Sequence, residues 1–235
     1  MFFDSFPRFY DSSSTSANRG RLNLRYEAIF VENRDLFAGA RVLDIASHDG
    51  RWSLAALETG AAEVVGIEAR EDLVRAAGEN LSHYVGDETR YRFIAGDVFD
   101  VLRREAFEVD VVLCLGFLYH TLRYNELMRR IRDANPRHLV IDTEVIPRVK
   151  QPRVRLCMEL NEPQSNAAED PYSYDGKSLV GRPSVPALEM MLTAYDFEID
   201  RFSDWASLLR DNAAVPNVDA YAKGRRVTAR CVSKI

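Results

Sequence analysis

The sequence has little that would place it in a specialised structural class. It has three cysteines in 235 residues, Cys114, Cys157 and Cys231, and their odd number and wide spacing indicate neither a disulfide framework nor a zinc site. Its longest apolar stretch, residues 109–119, is far short of the roughly 20 residues that a membrane span requires. The formal net charge is −5, so no overall positive field indicates binding to nucleic acid.

The first residues, MFFDSFPRFYD, lack the basic start and the apolar core of a signal peptide. Together with the unpaired cysteines, this predicts a soluble cytoplasmic protein with no membrane partner. Hydrophobic residues make up 46% of the chain and charged residues 29%, which excludes a disordered or collagen-like chain. The apolar content is sufficient for one sizeable core.

Short apolar runs alternate with segments of helical periodicity along most of the chain. Strands are predicted at 41–46, 63–68, 91–95, 110–115 and 139–142, and helices at 22–37, 51–59, 71–85, 97–104 and 124–134. Near-continuous apolar strands of this kind are typical of a parallel sheet that is covered by helices on both faces. The segment 147–183 that follows is long and irregular, with one candidate strand at 154–160, and a helix at 184–195 and two closing strands at 197–202 and 226–232 come after it.

This pattern predicts one α/β domain rather than two. An N-terminal arm and helix occupy 1–38, a cofactor-binding core 39–145, a substrate-facing or lid insertion 146–183, and a closing helix with strands 184–235. The Ser-rich stretch at 11–20 is expected to form a mobile arm or lid rather than core. The irregular insertion is long for a loop in a compact domain, which favours a role in binding.

Acidic residues end four of the five predicted parallel strands, among them Glu68 and Asp97. Ligands of open parallel sheets bind outside the carboxyl ends of the strands. Acids there also cap the following helices, and each one alone is about equally consistent with that role. As an ordered set they indicate a nucleoside site, with Glu68 accepting hydrogen bonds from ribose hydroxyls and Asp97 from an adenine amine.

The turn after the first strand lacks the G-x-G-x-x-G pattern of dinucleotide-binding proteins. It has the form D-x-A-x-H-x-G, with Ala46 and His48 in place of glycines and Gly50 as the remaining glycine. A pyrophosphate requires close backbone approach over small residues, and the His48 side chain would crowd it. The turn therefore favours a cofactor without phosphates over NAD or FAD.

Four features together resemble the class I S-adenosylmethionine-dependent methyltransferases. VLDIASHDGRWS resembles their motif I, Glu68 their ribose acid, AGDVFD the segment beside adenine, and VDVVLCLGFLYH the fourth strand. The resemblance runs from 41 to 145 and more loosely to the C-terminus. It implies a Rossmann-like fold, a mostly parallel seven-stranded sheet with an antiparallel last strand and helices on both faces. It also implies S-adenosylmethionine as cofactor and S-adenosylhomocysteine as product.

Within that group, motif I is most similar to actinobacterial sugar and small-molecule O-methyltransferases. The fourth-strand segment is also similar to that of bacterial tRNA wobble-uridine carboxymethyltransferases. The chain departs from the family where Ala46 and His48 replace two usual glycines, which puts the detailed contacts of the turn in question and leaves the cofactor unchanged.

The resemblance implies a set of cofactor contacts. Asp44 and Ala46 would lie at the methionine end, and Arg25 or Arg21 would meet the carboxylate, although a solvated helix arginine is an equal alternative. The complete predicted cofactor site consists of Arg25, Asp44, Ala46, Ser47, His48, Gly50, Glu68, Ala69, Asp97, Val98 and Leu115.

The predicted catalytic residues are His120, Asp142 and Glu144. A hydroxyl acceptor must lose its proton, and His120 follows the fourth strand near the expected methyl position, although packing or capping is the alternative role. Asp142 and Glu144 face the same way on an extended strand. They could orient His120, act as base, hold a divalent cation with acids of the insertion, or simply begin the next loop. The sequence shows no tight ligand cluster, so no metal site is predicted.

The insertion mixes carboxylates, an amide and aromatic rings at 159–162 and 170–175, which suits a polyhydroxylated ligand. The predicted substrate contacts are Tyr10, Trp52, Tyr119, Glu159, Tyr172 and Tyr174. The basic run at 148–155 fits either phosphate or RNA, or a solvated edge strand that resists aggregation.

The sequence therefore predicts an S-adenosylmethionine-dependent O-methyltransferase that acts on a hydroxyl of a sugar or sugar-like small molecule such as a glycoside. Nucleic acid is not the expected partner, and the sequence does not indicate an oligomeric state. The alternatives are a tRNA wobble-uridine-modifying transferase, a small-molecule N-methyltransferase and a non-enzymatic cofactor-binding regulator. An NAD oxidoreductase is disfavoured by the missing glycines.

Overall fold

The computed structural model describes residues 1–11, 18–161 and 171–234. The strands are β1 Arg41–Ile45, β2 Glu63–Glu68, β3 Tyr91–Ala95, β4 Val111–Leu115, β5 His138–Glu144, β6 Val154–Leu160, β7 Lys177–Pro183, β8 Phe197–Phe202 and β9 Arg226–Ser233. The α-helices are α1 Arg19–Tyr26, α2 Arg51–Thr59, α3 Glu71–Tyr84, α4 Val98–Arg104, α5 Tyr124–Asp133, α6 Val185–Thr193, α7 Trp205–Asp211 and α8 Asp219–Ala222.

Seven strands form one sheet in the order β3-β2-β1-β4-β5-β9-β8. The pairs β2–β3, β1–β2, β1–β4 and β4–β5 are parallel, whereas β9 runs antiparallel to both β5 and β8. The predicted fold, a mostly parallel seven-stranded sheet with an antiparallel last strand, is confirmed. Its topological switch point lies between β1 and β4, where ligands of such sheets bind.

Both faces of the sheet are buried because the central strands are apolar at consecutive positions. In β4, Val112 and Cys114 pack into one core cluster, while Val111, Leu113 and Leu115 pack into the other on the opposite face. Side chains alternate between faces along a strand, so a continuous apolar run fills two cores at once.

The N-terminal segment belongs to one of these cores. Phe3 and Phe9 are fully buried, and the Phe3 ring lies edge-on to Trp52 with centroids 5.6 Å apart. The backbone N–H of Phe3 donates a 2.8 Å hydrogen bond to Oδ1 of Asn23. The first ten residues are therefore packed rather than free. The Ser-rich stretch predicted to be a mobile arm or lid overlaps the start of α1 at Arg19, and residues 12–17 of it lie outside the described part of the chain, so that role stays a prediction.

The predicted helix at 22–37 is divided in the structure. α1 passes into a wider π-helical turn at Glu27–Val31 and then into a short 3-10 helix at Arg34–Leu36. The side chain of Asn33 donates to the carbonyls of Ala28 and Ile29, at 3.3 and 3.0 Å, which satisfies acceptors at the end of the widened turn.

The insertion contains a two-stranded antiparallel hairpin of β6 and β7, paired from Val154↔Pro183 to Leu160↔Lys177. The predicted strand at 154–160 is confirmed, whereas β7, α7 and α8 were not predicted. Within the described ranges, no helix combines the length and apolar character needed to cross a membrane.

Candidate cofactor and substrate site

A pocket opens at the carboxyl ends of β1, β2 and β4, the edge of the sheet where the sequence predicts a ligand. It is lined by eleven of the predicted site residues: Arg25, Ala46, His48, Trp52, Glu68, Ala69, Asp97, Val98, Leu115, Tyr119 and His120. The fold brings these residues together from five parts of the chain.

The turn after β1 adopts the left-handed conformation at three alternate positions. The φ angles are 55° at Ala46, 54° at His48 and 80° at Gly50. The turn thus keeps a conformation that favours glycine while using two other residue types, at a cost of roughly 1–2 kcal/mol for each non-glycine residue. Hydrogen bonds hold it in place: the N–H of Ser47 donates to the Ile67 carbonyl at 2.9 Å, and that of His48 to Oε2 of Glu68 at 3.0 Å.

Three residues predicted for the cofactor site, Asp44 at the end of β1 and Ser47 and Gly50 in the turn itself, do not line the pocket. Asp44 is buried, and its Oδ2 accepts a 2.7 Å hydrogen bond from Oγ of Ser53, whereas its Oδ1 has no hydrogen-bond partner. Burial raises the pKa of the Asp44 carboxyl to about 7. The Asp44 carboxyl therefore joins β1 to α2 through Ser53.

Arg51, which was not among the predicted site residues, lies at the start of α2. Arg51 forms a two-point ion pair with the buried Asp49, with Nε–Oδ1 at 2.6 Å and Nη2–Oδ2 at 2.7 Å. Burial alone would raise the pKa of Asp49, but Arg51 more than offsets it and holds that pKa well below its usual range. Arg51 lines the pocket, and this pairing orients it.

Glu68 ends β2 with its carboxylate in the pocket wall. Its Oε2 accepts from the His48 N–H, and its Oε1 accepts from the Arg70 N–H at 3.1 Å. A carboxylate oxygen can accept a second hydrogen bond. Glu68 is thus held rigidly and keeps acceptor capacity for the two hydroxyls of a ribose.

Asp97 serves as the N-cap of α4. Its Oδ1 accepts from the N–H groups of Phe99 and Asp100, at 2.9 and 3.1 Å. The capping role that the sequence left open is therefore present, and the same side chain also lines the pocket. The cap orients the carboxylate so that Oδ2 can accept from a ligand amine.

The predicted role of Asp142 in catalysis requires correction. Asp142 is fully buried at the end of β5, and four side chains donate to it. Its Oδ1 accepts from Arg25 and Arg226, and its Oδ2 from Tyr221 and Thr228, at distances of 2.6 to 3.0 Å. Burial would raise its pKa, but Arg226 and Arg25 more than compensate and hold it low. Asp142 thus anchors arginines and is not placed to act as a base or metal ligand.

Glu159 contacts His120 directly, and Arg182 links Glu159 to Glu144. Nδ1 of His120 lies 2.6 Å from Oε2 of Glu159, whose Oε1 lies 3.3 Å from Nη2 of Arg182. Nε of Arg182 donates to Glu144 at 2.6 Å. Burial would raise the pKa of Glu159, but its hydrogen bond with His120 and the charge of Arg182 lower it overall. Glu159, predicted as a substrate contact, therefore holds the candidate base.

The remaining predicted substrate contacts are not in the pocket wall. The hydroxyl of Tyr10 is buried between Asp4 and Asn23, at 2.7 and 2.9 Å. Tyr172 and Tyr174 are 78% and 86% exposed. Glu162 and Asp170, named with the insertion, lie outside the described residues. Over the described ranges, no group of three or more His, Cys, Asp or Glu side chains could hold a metal ion.

Arg21 and Arg226 are pocket residues for which the sequence offered little or no signal. Arg226 lies on β9, far from Asp142 in sequence, and its Nη1 donates to the Tyr119 hydroxyl at 3.1 Å. Gly116 makes room for it, because a Cβ there would lie 3.3 Å from Nη2 of Arg226. The pairing depends on the position of β9 beside β5, which no local motif reveals.

These features fit S-adenosylmethionine. Glu68 and Asp97 offer acceptors for a nucleoside at one side of the pocket, as an adenosine requires. At another side, Nε of Arg21 and Nε of Arg25 are buried without hydrogen-bond partners. Unpartnered buried donors beside a pocket suit the carboxylate of an amino acid.

Comparisons with known proteins bear on the same region. Residues 42–135 match a family model described as a methyltransferase domain. A Methanocaldococcus jannaschii protein provisionally assigned as a ribosomal RNA large subunit methyltransferase is 32% identical over 96 residues. This alignment covers 39% of the chain and 24% of the relative, so the chain spans about a quarter of the length of that curated protein.

Solved structures extend the similarity over nearly the whole chain. An S-adenosylmethionine-dependent methyltransferase from Mesorhizobium loti has a TM-score of 0.61 and 17% identity, covering 89% of this chain and 99% of that one. The 1,6-didemethyltoxoflavin-N1-methyltransferase of Burkholderia thailandensis, bound to S-adenosylhomocysteine, has a TM-score of 0.61 and 18% identity. The match covers 99% of this chain and 89% of that one. Residues 42–135 therefore resemble a methyltransferase domain, and the chain has the Rossmann-like fold of these solved methyltransferases.

Proposed function

We propose that the protein is an S-adenosylmethionine-dependent O-methyltransferase whose acceptor is a hydroxyl group of a sugar-like small molecule. The observation that carries this proposal is the His120–Glu159 pair, which places an oriented imidazole in the wall of the cofactor pocket. When bound, the cofactor supplies an electrophilic methyl group on a sulfonium.

The chain's own residues divide the binding between the two sides of the pocket. Glu68 accepts from the ribose hydroxyls, and Asp97 with Ala69 and Val98 holds the adenine. Leu115 offers its backbone to the amino group, and Arg25 or Arg21 meets the carboxylate. Each of these residues lines the pocket. Methyl transfer is an in-line displacement, so positioning of the acceptor supplies a large part of the rate.

His120 acts as the general base. Glu159 can only accept, so the proton of the neutral imidazole lies on Nδ1 and Nε2 is free to receive one. Nε2 would take the proton of the acceptor hydroxyl, while the bound cofactor would supply the methyl group that the hydroxyl oxygen receives and would leave as S-adenosylhomocysteine. Glu159 then stabilises the protonated imidazole.

The names of two similar proteins indicate acceptors other than a hydroxyl group. The Burkholderia thailandensis structure is named as an N1-methyltransferase, which supports nitrogen methylation of a small molecule. The Methanocaldococcus jannaschii relative supports RNA. Against a nitrogen acceptor, the structure has an oriented His–Glu pair that an amine with an available lone pair does not require. Against RNA, the net charge of the chain is −5.

The experiment begins with calorimetric binding of S-adenosylhomocysteine. Labelled S-adenosylmethionine is then offered with a panel of glycosides, matched small amines and a bulk tRNA and ribosomal RNA preparation. We expect transfer to a glycoside hydroxyl, and we expect His120→Ala to lose at least a hundredfold in turnover while keeping its affinity for S-adenosylhomocysteine. Labelling of the amines or RNA alone, or full turnover by His120→Ala, would contradict the proposal.

A further inference from the structure

Three arginines converge on one end of the pocket. Arg21 and Arg25 project from α1, Arg226 projects from β9, and all three line the pocket. Arg25 lies 3.0 Å and Arg226 2.6 Å from Oδ1 of Asp142. Burial lowers the pKa of Arg21, and the neighbouring charges of Arg25 and Arg226 lower it further. The three guanidiniums therefore share one electrostatic environment.

Asp142 is the one carboxylate of the described residues that forms ion pairs with this group, and its acceptor capacity is used up. Arg25 and Arg226 occupy Oδ1, while Tyr221 and Thr228 donate to Oδ2 at 2.9 and 2.7 Å. Among the described residues, Arg21 has no carboxylate within ion-pair distance, and its Nε is buried without a hydrogen-bond partner. One negative charge thus faces three positive charges.

Partly buried guanidiniums in excess of their acids are costly unless an anion compensates them. Their planar donors match carboxylate and phosphate groups in two-point contacts. The carboxylate of the cofactor supplies one negative charge. Asp142 and the cofactor carboxylate together supply two negative charges against the three positive charges of the arginines. One positive charge remains uncompensated, so a second anion would be bound favourably here.

The second anion would lie beside the base. Nη1 of Arg226 donates to the Tyr119 hydroxyl at 3.1 Å, and the Tyr119 ring lies 4.1 Å from the His120 ring, centroid to centroid. Arg226 therefore connects the arginine cluster to the position of the acceptor, whereas Arg25 stands over Trp52, 4.8 Å from its ring centroid.

Both Arg21 and Arg25 are candidates for the carboxylate of the cofactor; with Arg25 in that role, Arg21 remains for a second anion. We propose that the acceptor carries a small anionic group, a carboxylate or a phosphate, which Arg226, Tyr119 and Arg21 bind while its hydroxyl faces His120. This inference rests on the proposed function and narrows its substrate class from neutral glycosides to sugar acids, sugar phosphates or molecules of similar charge.

The test uses the whole protein saturated with S-adenosylhomocysteine and titrates it with sodium acetate or inorganic phosphate, followed by carbon-13 or phosphorus-31 NMR. We expect saturable binding in the millimolar range at constant ionic strength. Arg21→Gln should weaken it at least fivefold. Arg19→Gln is the matched control, since Arg19 lies on the same helix but is exposed and faces the ring of Tyr10, and it should bind like the wild type. Tighter acetate would indicate a carboxylate, and tighter phosphate a phosphorylated acceptor.

Two outcomes would overturn the inference. The first is the absence of saturable binding of either ion to the saturated protein. The second is binding to the free protein that S-adenosylhomocysteine abolishes but 5′-methylthioadenosine, which lacks the amino-acid carboxylate, does not. The arginines would then serve the cofactor alone. Neither outcome affects the binding of S-adenosylhomocysteine or methyl transfer to a neutral hydroxyl, so failure here is distinguishable from failure of the proposed function.

Discussion

Nδ1 of His120 donates a 2.6 Å hydrogen bond to Oε2 of Glu159, joining a residue that follows β4 to one on the insertion hairpin. Arg182 on β7 contacts the other oxygen of Glu159 and also pairs with Glu144 at the end of β5. The candidate base therefore belongs to the core, while the acid that orients it belongs to the insertion. The hairpin of β6 and β7 completes the site as well as covering it.

Glu159→Gln tests this relationship. The amide keeps the size of the side chain but loses the charge that stabilises a protonated His120 and pairs with Arg182. We expect kcat to fall about tenfold to a hundredfold, a part of what a general base contributes, with KM and the affinity for S-adenosylhomocysteine unchanged. Steady-state kinetics and calorimetry measure these values.

Two further variants distinguish the loss of His120 orientation from a general loss of structure. Glu159→Asp retains the charge and should recover part of kcat. Glu189→Gln removes an exposed carboxylate on α6 and should behave like the wild type. A rise in KM at constant kcat would instead make Glu159 a substrate contact, the role predicted from the sequence.

Glu68→Gln should weaken cofactor binding. One oxygen becomes an amide donor, so the side chain can no longer accept from the His48 and Arg70 N–H groups and from both ribose hydroxyls together. Hydrogen bonds to a charged group contribute about 1.5–3 kcal/mol, so the Kd for S-adenosylhomocysteine should rise roughly tenfold to a hundredfold. Glu63→Gln, at the exposed start of the same strand, is the control. An unchanged Kd for Glu68→Gln would remove Glu68 from the cofactor site.

Asp44 should make stability depend on pH. Its pKa is raised from an unfolded value of 3.8 to about 7 because the carboxyl is buried, so the folded state binds the proton more strongly between these values. The contribution of Asp44 to the free energy of unfolding therefore falls as the pH rises through that window. Asp44→Asn cannot ionise, and its stability relative to the wild type should increase from pH 4.5 to pH 8.

Urea unfolding at several pH values measures this difference. Asp211→Asn, an exposed carboxylate at the end of α7, provides the comparison and should show little change relative to the wild type over the same range. A difference between Asp44→Asn and the wild type that stays constant with pH would show that Asp44 is ionised in the folded protein throughout.

The elements that the sequence predicted best are those with purely local signals. The bounds of α2, β2 and β6 match the predictions, because glycine stops and apolar runs determine them. β7 was missed because its sequence, KSLVGRP, is polar and contains Gly181 and Pro183, and it becomes a strand through its pairing with β6. The short helices α7 and α8 carry too few residues for a periodic signal.

The same limit applies to the site. Strand-end residues such as Glu68 could be predicted because parallel topology places them at one edge. The contact of Arg226 with Asp142 joins strands that are neighbours only after β9 inserts beside β5. The hydrogen bond between Glu159 and His120 likewise depends on how the hairpin folds back over the sheet, so neither could be predicted from spacing.

Phe3→Ala should destabilise the protein strongly. The side chain is fully buried against Phe9, Tyr26 and Trp52, which makes the N-terminal segment part of the core. Removing a buried phenylalanine ring costs about 3–5 kcal/mol. The ring of Phe202 is 40% exposed on the edge strand β8, so Phe202→Ala should lower the free energy of unfolding much less. Similar losses for the two variants in denaturant unfolding would show that residues 1–10 do not contribute to the core as described.

Ala46→Gly should be tolerated or stabilising, in contrast to the usual effect of such a change. Ala46 has a φ of 55°, in the left-handed region, which costs a non-glycine residue about 1–2 kcal/mol. Glycine relieves that strain but adds about 0.4–1 kcal/mol of backbone entropy to the unfolded chain, so the expected net gain in stability lies between zero and about 1.5 kcal/mol. Ala76→Gly, within α3 at a helical φ, should lose about 1 kcal/mol. If Ala46→Gly loses as much stability as Ala76→Gly in chemical denaturation, the turn after β1 is not strained at this position.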